Sequence, residues 1–408
     1  MRGLASCFLL LAACSSNPTS HGDDDANTGG GGDGGHTSGD GSVANTEPEW
    51  PADSPLPAEF DFPPYANLLD ASTVVVSWRT TNSTTGTVHY GTTDTYGTNA
   101  AASTADNLHH VTLSNLAPGT AYYYEVAIDG TQATRKGVFV TPGAAKWRFI
   151  SFGEYHAPSE SSGVAKFADN IRAFKPHVIV ESGDMVDVGT DLTNWRSYMR
   201  TSAPWISNVL LMPAHSNHVN GTGGNANLKD YFVLPNNERW YLTRYGQVQF
   251  FTIDSTYDAN SDVASVEVPW LNTVASEAHD GVDDPTFVIA AWHYPACSSQ
   301  YASRSGVRTW VNANLVKAFR DHGGIDLILS AHDKYYERST LTGGIVHIIT
   351  NIGNISPEIP GQNFVDCTAI KTLRSNRSTA LISVDGNNLS AQVIENDGTE
   401  LDSFSITK

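Results

Sequence analysis

The sequence predicts an α/β protein in which a small N-terminal β-sandwich precedes a larger α/β domain. Between residues 57 and 143, short β-rich runs are separated by turn residues. Beyond Pro142, apolar runs alternate with amphipathic helical stretches, the pattern of a sheet covered by helices. At the ends of those later runs stand carboxylate, amide and imidazole side chains.

Composition bounds the rest. The chain has 408 residues, of which 40% are hydrophobic and 10% aromatic, enough to bury the cores of two or three domains. Lys and Arg number 24 against 43 Asp and Glu, a formal net charge of −19. That balance excludes nucleic acid as a partner, because phosphate backbones need clustered cations. Four Cys are too few for a disulfide scaffold or a zinc ribbon, although Cys297 and Cys367 could pair in an oxidising compartment.

Residues 1–14 carry one positive charge, a short apolar stretch and small residues, as an export signal does. The segment is too short to span a bilayer. Leu11-Ala12-Ala13-Cys14 resembles the lipobox of bacterial lipoproteins, which implies membrane attachment through a lipid on Cys14. Ser15 in place of Asp agrees with outer-membrane anchoring of the exported protein. Residues 15–49 are acidic and Gly-rich with almost nothing apolar, and residues 15–56 are expected to form a disordered tether.

Within residues 57–143 the β-rich runs are 73–80, 87–90 and 122–126, the last preceded by the turn Asn115-Leu116-Ala117-Pro118-Gly119-Thr120. The Ser77-Trp78-Arg79-Thr80 run and the segment from Leu116 to Tyr124 resemble the fibronectin-III-like N-terminal domain of purple acid phosphatases. From 146 to 408 the expected strands are 149–152, 178–180, 209–212, 250–253, 287–290 and 327–329. Helices are expected at 162–174, 193–200, 269–278 and 309–322, and a closing strand pair at 379–384 and 389–394.

Directly after these strands come Glu154, His156, Asp184, Asn217, His218, His293 and His332. Divalent metals of borderline hardness favour this mixture of oxygen and imidazole donors. In such sheets functional groups gather beyond the carboxyl ends of the strands. The blocks Glu181-Ser182-Gly183-Asp184, Ser216-Asn217-His218, Trp292-His293-Tyr294-Pro295 and Ala331-His332-Asp333-Lys334-Tyr335-Tyr336-Glu337-Arg338 occur in order. They resemble the motif blocks of metallophosphoesterases of the purple acid phosphatase branch. The resemblance covers residues 57–408 and implies an α/β/β/α sandwich for the second domain. It also implies one or two iron, zinc or manganese ions per chain and hydrolysis of small phosphate esters.

Residue by residue, the resemblance maps one metal position onto Asp184, Asn217, His293 and His332. Asp184 falls where the bridging carboxylate belongs. The other metal position is altered, with Glu154, Asp187 and Lys334 standing where the family has Asp, Tyr and His. A protonated Lys has no lone pair to offer a metal. Loss of the Tyr also implies loss of the phenolate colour. Three readings of this half follow. Lys334 replaces a cation beside a single metal and helps clamp phosphate; or Glu154, His156 and Asp187 rebuild a site; or the site is dead.

His218 matches the His near the leaving group, but Val219 stands where a carboxylate usually follows, and His215 is a speculative substitute for a missing proton donor. Ser216 and Ala331 replace family glycines. The sequence therefore supports an acid phosphatase-like phosphomonoesterase at the cell envelope. Its alternative is a catalytically impaired pseudophosphatase that binds anionic or phosphorylated ligands. A surface protein acting through the sandwich domain is the third class.

Overall fold

The computed structural model describes residues 47–101, 104–257, 261–299, 305–355, 367–373 and 377–408. The export signal with Cys14 and the tether up to residue 46 lie outside the described residues. Among the described residues, no helix is long and apolar enough to cross a membrane.

The N-terminal part contributes β1 (Phe60–Asp70), β2 (Thr73–Thr84), β3 (Gly86–Gly91), β4 (Thr98–Ala101), β5 (Asp106–Leu113), β6 (Ala121–Ile128) and β7 (Thr134–Val140). The second part opens with β8 (Lys146–Phe152), α1 (Ser161–Val164), α2 (Phe167–Phe174), β9 (Val178–Glu181), α3 (Leu192–Thr201) and β10 (Leu210–Pro213). It continues with α4 (Gly221–Tyr231), β11 (Tyr241–Tyr245), β12 (Val248–Thr252), α5 (Val268–Glu277), β13 (Phe287–Ala291), α6 (Ser305–Val311), α7 (Lys317–Asp321) and β14 (Leu327–Ser330). The chain closes with β15 (Tyr336–Leu341), β16 (Ile345–Ile349), β17 (Cys367–Leu373), β18 (Thr379–Asp385), β19 (Asn388–Ile394) and β20 (Glu400–Thr407).

These strands form three sheets. One has the order β20-β19-β18-β8-β9-β10-β1-β2-β5, the second β11-β12-β13-β14-β16-β15-β17, and the third β4-β3-β6-β7. An N-terminal β-sandwich domain is thus followed by an α/β domain, and sheets dominate. The sandwich is fused to its neighbour through a shared sheet, because β1 pairs in parallel with β10 at Ala66 and Leu210.

Alternation along the strands explains the layers. Phe149, Val178, Leu210, Phe250, Ile289 and Leu327 point into the core between the two large sheets. Their neighbours Ile150, Ile179 and Leu211 pack under α2 and α3, while Phe251, Ala290 and Ile328 pack under α5 and α7. A period of two therefore feeds two cores from one strand. Asp191 caps α3 by accepting from Thr193 N at 2.7 Å.

Some elements depart from the pattern expected from sequence. The helix expected at 162–174 is broken between α1 and α2, with the poor helix former Gly163 in the short first piece. The helix expected at 309–322 is interrupted by a wide turn at Asn312–Val316, where Asn312 Nδ2 donates to Ala296 O at 2.6 Å. β1 escapes sequence reading because it carries Pro63-Pro64 at a register shift.

Residues 47–56, the end of the segment expected as tether, lie against the body. Glu47 pairs with Arg148 at 2.8 Å, Arg172 Nη2 donates to Pro51 O at 3.0 Å, and Arg135 Nη1 to Ser54 O at 2.6 Å. Arg148 lies near the start of β8 and Arg172 in the helix leading to β9. This strap therefore sits at the end of the sheet opposite the residues that follow the strands.

Candidate metal centre

Glu154, Asp184, Asn217, His293 and His332 each stand in the loop directly beyond β8, β9, β10, β13 and β14 respectively. The parallel run β8-β9-β10 and the parallel run β12-β13-β14 bring these carboxyl ends to one edge. Four of the residues there take left-handed backbone: Glu154 (φ 64°), His156 (φ 46°), Asp184 (φ 57°) and His332 (φ 67°). Such conformations cost on the order of 1–3 kcal/mol each for side chains other than glycine, and cluster at working sites. At Gly183 (φ 93°) a Cβ would come within 2.8 Å of His293 Nδ1, so the close approach of that imidazole requires glycine.

Among the described residues, two groups of donors could hold a cation, and both contain Asp184. One is Glu154, Asp184, His293 and His332; the other is His156, Asp184 and His218. Within each group the donor atoms lie within 4.8 Å of one another. His293 Nε2 is 3.2 Å from Asp184 Oδ2 and 3.0 Å from His332 Nδ1. Glu154 Oε1 accepts from His332 N at 2.6 Å and lies 3.9 Å from His293 Nε2.

Protonation follows from these contacts. His293 is fully buried, and its Nδ1 donates to Ser182 O at 2.9 Å. A carbonyl only accepts, so the proton is fixed on Nδ1 and the Nε2 lone pair points at the cluster. His218 has the same arrangement, with Nδ1 donating to Asp187 O at 2.6 Å and Nε2 3.8 Å from Asp184 Oδ2. Metal-binding histidines use this second contact to set their tautomer.

Burial alone would raise the Asp184 carboxyl, but His293, His218 and His156 together hold it well below the usual carboxylate range. For His293, burial pulls the imidazole down, yet Asp184 and Glu154 outweigh it and its pKa is raised. A cation held at this point would displace that proton.

His156 is held between carboxylates. Its Nε2 is 2.9 Å from Glu154 Oε2 and 3.5 Å from Asp184 Oδ2, while Nδ1 is 3.2 Å from Asp187 Oδ1. Burial opposes its charge, but the Glu154 contact and the Asp184 field push its pKa up to about 9. Asp187 therefore sits behind His156 and also accepts from Ser159 N at 3.0 Å, outside both donor groups. Lys334 Nζ lies 3.8 Å from Glu154 Oε2. His215 is fully buried, 3.2 Å from Asp254 Oδ2, and lies outside both donor groups.

The two residues that replace family glycines fit their surroundings. Ser216 Oγ accepts from Asp184 N at 3.0 Å and so steadies the shared carboxylate. Ala331 is accommodated because Gly153 lies opposite; a Cβ on Gly153 would come within 2.4 Å of the Ala331 methyl. Asn217 Oδ1 is buried without a hydrogen-bond partner. A buried acceptor left bare is costly, and a cation would satisfy it. The donor set therefore fits a metal ion.

Comparison with known proteins agrees with this architecture. Residues 64–141 match the family described as Purple acid Phosphatase, N-terminal domain. The purple acid phosphatase PPD1 from yellow lupin (Lupinus luteus) seeds superposes with a TM-score of 0.68 at 15% identity, covering 84% of this chain and 74% of that one. PhoD superposes at 0.62 with 11% identity, covering 88% and 92%. GAP50, the anchor in the inner membrane complex of Plasmodium, superposes at 0.51 with 15% identity, covering 64% and 89%. Among curated proteins, no sequence matches. The chain shares the fold of these phosphatase structures, and its N-terminal β-sandwich is the part that matches the purple acid phosphatase N-terminal family.

Proposed function

From that fold and this centre, we propose that the protein is a metal-dependent phosphoesterase acting on small phosphate esters at the cell envelope. The observation that carries the reading is the convergence of Glu154, Asp184, His293 and His332. Iron, zinc or manganese suits a set of imidazole, carboxylate and amide donors. Such an ion supplies Lewis acidity for phosphoryl oxygens and a bound water of lowered pKa.

The chain's own groups have separable tasks. Asp184, kept ionised, provides the charge shared by both donor groups. Ser182 O and Asp187 O orient His293 and His218 so that Nε2 faces inward. Asp187 orients His156 from behind. Lys334, with its side chain 28% exposed, offers an ammonium to a phosphoryl oxygen at the mouth of the centre.

Support for the cellular setting comes from the lipobox-like Leu11–Cys14, on which a lipid would be carried at Cys14, and from the Cys297–Cys367 disulfide, which suits an oxidising compartment. One observation favours a second reading. Lys334 occupies space against Glu154 where a second cation would otherwise be bound, as in a binding protein for phosphorylated ligands. The fold does not decide, since it also serves GAP50, an anchor.

Elemental analysis of protein purified without chelators, paired with hydrolysis of p-nitrophenyl phosphate, tests the proposal. Bound metal with turnover that a chelator abolishes is the expected result. Absence of turnover in metal-loaded protein would transfer the reading to the binding protein.

A further inference from the structure

The loops that carry His293 and His332 meet a second time, away from the imidazoles. Cys297, Ser298 and Ser299 follow on the first loop, and Asp333, Lys334 and Tyr335 on the second. The Ser298 hydroxyl donates to Asp333 Oδ2 and lies 2.8 Å from Tyr335 Oη. Ser299 N donates to Tyr335 Oη at 3.0 Å, and the Ser299 hydroxyl donates to Glu337 Oε2. Asp333, Tyr335 and Glu337 are completely buried, and Ser298 nearly so. Cys297, beside Ser298, is bonded to Cys367 at the start of β17, so the first loop is anchored from outside.

This geometry bears on the metal centre. Asp333 N donates to Ala331 O at 2.8 Å and Tyr335 N to Asp333 O at 2.6 Å, leaving tight turns on either side of Asp333. Ser298 holds both Asp333 and Tyr335, and Lys334 lies between them. His332 precedes Asp333, in left-handed backbone, with its N–H on Glu154 Oε1.

We infer that Ser298, acting through Asp333, is a positioning residue that sets His332 and Lys334 against Glu154 and thereby fixes how tightly the centre holds a divalent cation. The inference rests on the phosphoesterase reading for the purpose of that cation. Groups that orient metal ligands from behind typically change affinity by about 10–100-fold when lost.

The test is titration of the full chain with Co(II) alone, followed by its visible absorption, which reports ligand geometry without turnover. Ser298→Ala is expected to weaken Co(II) binding by about 10–100-fold and to shift the absorption band. Ser298→Thr keeps the hydroxyl and should retain affinity. Thr372→Val removes a different hydroxyl, one that donates to Glu337 Oε2 at 3.1 Å, and should lower thermal stability without moving Co(II) affinity. Wild-type affinity and spectrum in Ser298→Ala, or equal weakening in Thr372→Val, would overturn the inference while leaving the phosphoesterase reading intact. Failure of the wild-type chain to take up Co(II) would overturn both.

Discussion

The two donor groups that share Asp184 are built to different standards of rigidity. In the inner group, Glu154 and His293 are fully buried, and the far nitrogen of His293 is pinned to a backbone carbonyl. The outer group meets solvent, since the His218 side chain is 31% exposed, and His156 has both nitrogens against carboxylates. The inner group is arranged for a cation from outside the chain. The outer one already has the cationic His156 beside Asp184, and Lys334 lies on the same side, against Glu154 Oε2, the oxygen that also faces His156.

The largest expected effect follows from removing the inner group's most buried nitrogen. His293→Ala should abolish metal retention and reduce kcat by at least about 10³-fold, with the circular dichroism spectrum unchanged. Activity near wild type would break the comparison, because the buried imidazole would then have no part in the chemistry.

Next in size is the brace behind that group. Replacing Cys297 and Cys367 together with Ser opens a loop of 70 residues. Stability should fall by about 2–4 kcal/mol, read by denaturant titration. Co(II) affinity should fall with it if the brace serves the inner group, and hold steady if the two halves are independent.

A third experiment sharpens the contrast at the outer group. Lys334→His replaces an ammonium, which has no lone pair, with an imidazole that has one. Bound metal per chain should rise, as read by elemental analysis. An unchanged count would mean that Lys334 is not what limits the outer group.

The smallest effect is expected at Glu181, which belongs to neither group. It lies in β9, ahead of the Asp184 loop, and accepts from Tyr198 Oη at 2.6 Å. Burial pushes its pKa up to about 8, whereas the imidazoles around Asp184 keep that carboxyl ionised. A folded pKa above the unfolded value means stability that is full below about pH 4.5 and is lost as pH rises toward about 8. Glu181→Gln should therefore melt like wild type at pH 4.5. At pH 8 it should be more stable by roughly 1–3 kcal/mol. A wild-type melting profile across that range would show that Glu181 is relieved of its buried charge in some other way.

Sequence alone was enough to identify the central strand series and the edge at which its strand-end donors converge. Continuous apolar runs end where strands end, so Glu154, Asp184, Asn217, His293 and His332 were legible as strand-end donors without any contact map. β1 was not legible, because its prolines argue against a strand. Nor could the fusion of sandwich and α/β domain be read, since the β1–β10 pairing joins segments far apart in the chain.

Tertiary structure alone decided which donors lie close enough to share a cation. Sequence blocks assign Glu154 to the altered half with His156 and Asp187, but folding places its Oε1 with His293 and His332 and sets Asp187 behind His156. It also decided that Ser216 and Ala331 are accommodated by Asp184 N and Gly153. The physical reason is range. Burial and periodicity are written locally along the chain, whereas coordination and charge depend on distances of a few ångströms between loops distant in sequence.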